Sequence, residues 1–221
     1  MRKLTLFILL LSAGLSAADF TGDRYLLDAY LRNDMTVWQA HIDSAADLPY
    51  EYGYCAAIMT ENKEAARPYV KRFKEHTAQQ KAQLPKGHYE MYMSAVYVYE
   101  LRLHDSFHPA KSLSLARKAV ELAPNDPLTL TYCGMALFYA PQPFGNKKEA
   151  LTLFEKAEKL FQGNRWYNCW WRPAAMMYAA QCYDKQGNTA EAIRRCEALL
   201  KEYPDYAFIR DIYMPALRNA K

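Results

Sequence analysis

The stretch that decides the fold is residues 173–204, PAAMMYAAQCYDKQGNTAEAIRRCEALLKEYP. Met176, Ala179, Ala180 and Tyr183 recur at i, i+3, i+4 and i+7, which is one face of an α-helix. Pro173 suits the first turn of that helix, where a missing N–H costs nothing. Gly187 can end it in the left-handed conformation. Asn188 then stands as the cap of a second helix, with Glu191 at the capping-box spacing. Ala192, Cys196 and Leu199 mark the apolar stripe of that second helix, and Pro204 follows its end. The segment therefore reads as helix, turn, helix, with small residues where the two helices cross.

The same plan precedes it. Leu130, Cys133, Gly134 and Leu137 repeat the first stripe, Asn146 and Glu149 repeat the cap, and Ala150, Phe154 and Ala157 repeat the second stripe. A repeated helix pair cannot bury its apolar face alone, so such pairs stack into a solenoid. Looser copies are expected earlier: a first helix at 88–104 leading into ARKAVELAPNDP at 116–127, a degenerate pair at 46–77, and one more hairpin over 19–45. The C-terminal YAFIRDIYMPALRNAK, residues 206–221, reads as a capping helix broken or kinked near Pro215.

These residues resemble the tetratricopeptide-repeat (TPR) family. The family's small crossing residues fall on Ala180 and Ala192, its aromatic on Tyr183, its loop glycine on Gly187 and its closing proline on Pro204. Where the second helix usually carries an aromatic, this chain has Cys196. PQPFGNKKEA (141–150) and PDYAFIRDIYMPAL (204–217) are also similar to a group of exported bacterial TPR proteins. The resemblance implies an all-α fold, an α-solenoid of TPR-like antiparallel helix pairs with a C-terminal capping helix. It divides the chain into degenerate hairpins over 19–87, repeats at 88–126, 127–164 and 173–206, and a cap at 207–221.

The N-terminal residues carry a signal of another kind. Arg2 and Lys3, an apolar run from Leu4 to Leu11, and the small residues before Asp19 have the three parts of a secretory signal peptide. Residues 1–18 are expected to be cleaved near Ala18, which places the mature chain in a bacterial periplasm or outside the cell. The apolar run is shorter than the ~20 residues a membrane span needs, and no later segment is long enough, so no membrane insertion of the mature chain is expected. The 221-residue chain carries 28 Lys+Arg and 24 Asp+Glu. Losing Arg2 and Lys3 leaves 26 against 24, a balance that gives no argument for nucleic acid. Five cysteines, none at C-x-x-C spacing, give no zinc ribbon or thioredoxin motif and do not fix a disulfide pairing.

No P-loop, G-x-S-x-G, G-x-G-x-x-G or paired-carboxylate motif is present, so no catalytic residue, cofactor or enzyme activity is assigned. His104 and His108 lie four apart in HDSFH, but Pro109 follows at once and no third ligand can be nominated, so no metal is expected. What remains is the groove. In the TPR family the first helix of each pair lines the concave surface. Carried over, this nominates Leu128, Thr131, Met135, Phe138 and Tyr139, and then Met177, Gln181, Asp184 and Lys185. The set lacks the Lys/Arg/Asn clamp with which some TPRs hold a C-terminal carboxylate.

One insert complicates the stack. Pro127 and Pro173 are 46 residues apart. That exceeds the family period of about 34 by about 12. Part of the excess falls in the PQPF turn and part around RWYNCWWR, residues 165–172. Its rings either fill an imperfect join between repeats or rim the groove as binding anchors; Trp166 and Trp170 are the ones assigned to a partner. The function expected is an exported scaffold that binds a protein or peptide through its concave groove without catalysis. The alternative is a small-ligand binder or transport accessory that uses the 165–172 insert as a pocket wall. Self-association is compatible with both.

Overall fold

The computed structural model describes residues 24–105, 108–164 and 167–219; the expected signal peptide and Trp166 lie outside them. The described residues form eleven α-helices and one π-helix, with no strand among them. The helices are α1 (Arg24–Leu31), α2 (Met35–Ser44), α3 (Leu48–Glu61), α4 (Lys63–Gln79), α5 (His88–Arg102) and α6 (Pro109–Leu122). They continue with α7 (Pro127–Tyr139), α8 (Lys147–Phe161), α9 (Trp171–Lys185) and α10 (Thr189–Glu202), then the π-helix Phe208–Tyr213 and α11 (Met214–Asn219). None of them is long and apolar enough to cross a membrane.

Local chemistry starts the helices where the sequence places them. The side chains of Asp126, Asn146 and Asn188 accept hydrogen bonds from the backbone N–H groups of Thr129, Glu149 and Glu191, satisfying donors that the first turn leaves open. The expected reciprocal half of the capping box is replaced by something else. Glu149 and Glu191 turn their carboxylates to Arg117 and to Arg194 and Arg195, because a guanidinium offers a charge-assisted bond. Gly187 closes α9 at φ +82°, in the left-handed region.

Each helix packs on the next, and α3, α5, α7 and α9 also pack on one another, so the odd-numbered helices form a continuous inner layer. Small residues permit the close crossings: a Cβ on Gly134 would come within 2.6 Å of the Phe154 ring, and Ala180 and Ala192 are fully buried. The outer helices bury one stripe, as α8 does with Ala150, Leu151, Phe154, Ala157 and Phe161. The inner ones are enclosed nearly all round: eleven of the thirteen residues of α7 are buried. This corrects the single stripe expected for the last repeat. Met176 and Tyr183 are only half-buried, whereas Ala174, Ala175, Met177, Tyr178 and Cys182 on the remaining faces of α9 are buried.

Two-sided burial goes with partial closure of the inner side, where the two ends of the described chain meet. Tyr30 and Tyr206 join hydroxyls at 2.7 Å, Arg32 pairs with Asp205 at 2.8 Å, and the Trp170 indole N–H donates to the Pro49 carbonyl at 3.1 Å. The first hairpin thus meets the last repeat across the concave side. At the C-terminus, the break expected near Pro215 is a π-helix. A proline ring crowds the carbonyl four residues earlier, here that of Asp211, and the wider turns of the π-helix lie across it, with the Met214 N–H donating to Ile209.

Candidate functional site: an aromatic cavity on the inner face

The tryptophan insert anchors the site. Trp170 and Trp171 stack at 4.5 Å between ring centroids, and Tyr52 of α3 stacks on Trp171 at 4.8 Å. Trp38 meets Trp170 edge-on at 5.7 Å, and Tyr30 lies 5.4 Å from Trp170. Both cavity-side indoles are pinned, Trp170 through Pro49 and Trp38 through its own donation to the Leu26 carbonyl at 2.8 Å. Gly53 makes room for them: a Cβ there would sit 2.5 Å from Trp38 and 3.0 Å from Trp170. The far end of the insert is clamped outside the cavity. The buried Arg172 guanidinium donates to Glu202, at 2.9 Å for one arm, and to Tyr203, and it lies 4.2 Å above the centre of the Tyr167 ring.

What the rings leave open is a cavity of about 470 Å³ on the inner face. Its walls come from five places: Tyr30, Asn33, Met35 and Trp38 of the first hairpin; Tyr52, Gly53, Ala56, Ala57 and Thr60 of α3; Met135 and Tyr139 of α7; Trp170, Ala174, Met177, Tyr178 and Gln181 around α9; and Tyr206, Phe208, Asp211 and Ile212 beyond α10. Tyr139, Ile212 and Phe208 are 65%, 62% and 37% exposed, so the mouth carries an apolar rim. Inside, Tyr206 donates to the Met177 sulfur at 3.2 Å, and the Tyr139 and Tyr178 hydroxyls meet at 3.0 Å. Burial pushes the Tyr30 phenol up to about 12, and those of Tyr178 and Tyr206 well above their ordinary value, so these hydroxyls stay neutral.

Of the residues nominated from the sequence, Met135, Tyr139, Met177, Gln181 and Trp170 line this cavity together. Leu128 and Thr131 do not: both are fully buried near the start of α7, where the Thr131 hydroxyl donates to the Pro127 carbonyl at 2.7 Å. Phe138 is buried against Tyr178. Asp184 and Lys185 sit at the exit of α9, off the cavity wall. The whole wall contributed by residues 30–60 and 206–212 was missed. The one local signal was Tyr50, Tyr52 and Tyr54 at every second position of a helix, which spreads rings around it and calls for burial on more than one side.

The remaining chemistry-bearing groups are quiet. Cys55, Cys133, Cys182 and Cys196 are buried thiols outside any disulfide, and Cys169 is buried as well. Burial raises the thiols of Cys133 and Cys182 to about 12 and that of Cys196 to about 11, far from the thiolate form that attacks electrophiles. His104 stands in a turn at φ +62° and His108 caps α6, so the two do not share a helix face. Among the described residues no group of three or more His, Cys, Asp or Glu could hold a metal ion.

Comparison with known proteins agrees with the helix-pair plan. The tetratricopeptide-repeat profile matches residues 174–206. No curated protein sequence matches the chain. Among solved structures, the crystal structure of YrrB, described as a TPR protein with an unusual peptide-binding site, aligns over 91% of this chain and 90% of its own at 18% identity, with a TM-score of 0.40. The last complete helix pair thus matches the tetratricopeptide-repeat family by sequence, and the earlier pairs are folded on the same helix–turn–helix plan.

Proposed function

We propose that this chain is an exported scaffold that binds a protein or peptide partner at the concave side of its helix stack, without catalysis. The observation that carries the reading is the aromatic cavity on the inner face, with Tyr139, Phe208 and Ile212 exposed around its mouth. Exposed rings beside a concave, largely apolar recess are what an interface anchor requires. Export is proposed from the leader-like residues 1–18 alone. The test is capture from a native envelope extract on immobilised chain beginning at Asp19, beside a Tyr139→Ala/Gln181→Ala variant that keeps its helical spectrum and melting temperature. A protein retained by the wild type and lost from the variant supports the reading; equal retention by both refutes the assigned surface. Mass spectrometry of the chain recovered from its own cell would find an N-terminus near Asp19 if the leader is removed, and Met1 if it is not.

A second reading has its own support. The cavity falls within the ~300–1,000 Å³ range of small-molecule sites and is enclosed by side chains from both ends of the chain. A small ligand held there would raise the melting temperature of the isolated protein with no protein partner present.

A further inference from the structure

This inference rests on the capture function just proposed and deepens it by naming the chemistry of the group that enters the cavity. Among the described residues the lining supplies rings, thioethers and small apolar groups, and no lysine, arginine or histidine. The single charged side chain among them is Asp211, whose two oxygens are each bonded to Arg210 at 2.7 Å. A carboxylate or phosphate brought inside would shed its hydration and meet no cation, which is the unfavourable way to bury a charge. A cation finds no free carboxylate either, but it does meet ring faces, which attract positive charge, so the discrimination expected is against anions.

The polar groups that are present suit a neutral guest. Tyr206 spends its proton on Met177 and accepts from Tyr30. In the Tyr139–Tyr178 pair one hydroxyl donates to the other, and the second keeps a proton to give. The amides of Asn33 and Gln181 each offer both a donor and an acceptor. Met35, Met135 and Met177 line the space, and methionine sulfur packs favourably at the edges of aromatic rings. A second, independent feature marks the same place. The π-helix, an uncommon backbone form frequent at functional sites, is the element that presents Phe208, Asp211 and Ile212 to the cavity.

We propose that the cavity takes an uncharged aromatic group from within a partner's polypeptide, and rejects a free C-terminal carboxylate. The guest ring stacks among Trp38, Trp170 and Tyr178, with its peptide amides reaching the polar groups near the mouth.

The test uses two near-isosteric probes on the chain beginning at Asp19: N-acetyl-tryptophan amide (neutral) and N-acetyl-tryptophan (anionic). Affinity is read by calorimetry and by the methionine methyl resonances. The neutral probe should bind wild type, and the anionic probe should bind about tenfold or more weakly. Ala57→Trp, on the half-exposed cavity wall, should abolish binding. Thr60→Trp, exposed on the same helix, should weaken binding without disturbing the fold. Ala57→Lys should reverse the preference toward the anionic probe. Equal or tighter binding of the anionic probe overturns the inference. So does failure of the neutral probe to bind, or indifference to both filling variants. If the charge preference fails while the capture experiment still loses its partner in the Tyr139→Ala/Gln181→Ala variant, the inference falls and the scaffold reading stands. If the probes discriminate as expected but no partner depends on that surface, the scaffold reading falls instead.

Discussion

Replacing Gly53 by alanine sets two known effects against each other. In an isolated helix the change should stabilise by about 1 kcal/mol, because glycine is the poorer helix former. In α3 the new methyl would lie 2.5 and 2.8 Å from two carbons of Trp38 and 3.0 Å from one of Trp170. Carbon atoms rest at about 3.5–4.0 Å, so the rings would have to retreat by roughly 1 Å. They have nowhere cheap to go. The Trp38 N–H is held by the Leu26 carbonyl at 2.8 Å, its ring stacks on Tyr30 at 5.7 Å and meets the edge of Tyr50 at 5.3 Å, and the Trp170 N–H is held by Pro49. Overpacking a fixed site costs about 1–3 kcal/mol, which exceeds the propensity gain, so Gly53→Ala should destabilise by about 1 kcal/mol net. At this chain length that lowers Tm by about 2–4 °C. Urea and thermal unfolding would measure it, within a cycle that includes Trp38→Phe. The smaller ring should relieve the clash, so the two changes together should cost less than the sum of the separate costs. A Gly53→Ala variant more stable than wild type, or additivity in the cycle, would refute the placement of these rings over α3.

Other consequences follow from single contacts. Trp170→Phe loses a ring edge and its hydrogen bond to Pro49, whereas the Trp171 indole nitrogen is buried with no acceptor among the described residues. Trp171→Phe should therefore be the cheaper change by about 1–2 kcal/mol, and the reverse order of urea midpoints would contradict the packing. Ala192→Leu puts a large side chain into a fully buried crossing of the last pair and should cost about 1–3 kcal/mol; an unchanged melting temperature would count against the register. Asp126 caps α7. Burial raises its carboxyl, but the His88 ring 3.2 Å away and the backbone N–H groups of Thr129 and Leu128 outweigh that and hold it below the usual carboxylate range. A depressed folded value gives stability that is present above the unfolded pKa of about 3.9 and is lost as pH falls through the folded one. Asp126→Ala should therefore cost about 1 kcal/mol at neutral pH. That difference should close in acid, and urea melts in which it stays at its neutral-pH size however far the pH is lowered below the unfolded value would refute the linkage.

The helix pairs were legible because their signals are local. A capping Asn at 146 or 188, a glycine at 187 and alanines at 180 and 192 act over one turn or one crossing, and the structure uses each of them there. The closure of the inner face was not legible. It depends on Tyr30 reaching Tyr206, 176 residues away, and on Trp170 reaching Pro49, 121 away, and helical periodicity carries no information about such distant pairs. Leu128 and Thr131, assigned to an open groove, are fully buried near the start of α7 instead. The tryptophan insert raised two alternatives, packing and partner binding, and both described tryptophans pack. Trp171 packs fully inside, while Trp170 both packs and forms cavity wall. The proline at 215 marked a break in the last helix, but not that the break would be a π-helix turned toward the site.

The most direct test of the account is a methyl spectrum of protein labelled at the methionine ε-carbon, recorded while N-acetyl-tryptophan amide is added. Met35, Met135 and Met177 line the cavity, whereas Met59 and Met91 are buried away from its walls. The account requires the first three resonances to shift together and saturate while the other two stay still. No saturable shift, or shifts centred on Met59 and Met91, would contradict the existence of a binding cavity on the closed inner face.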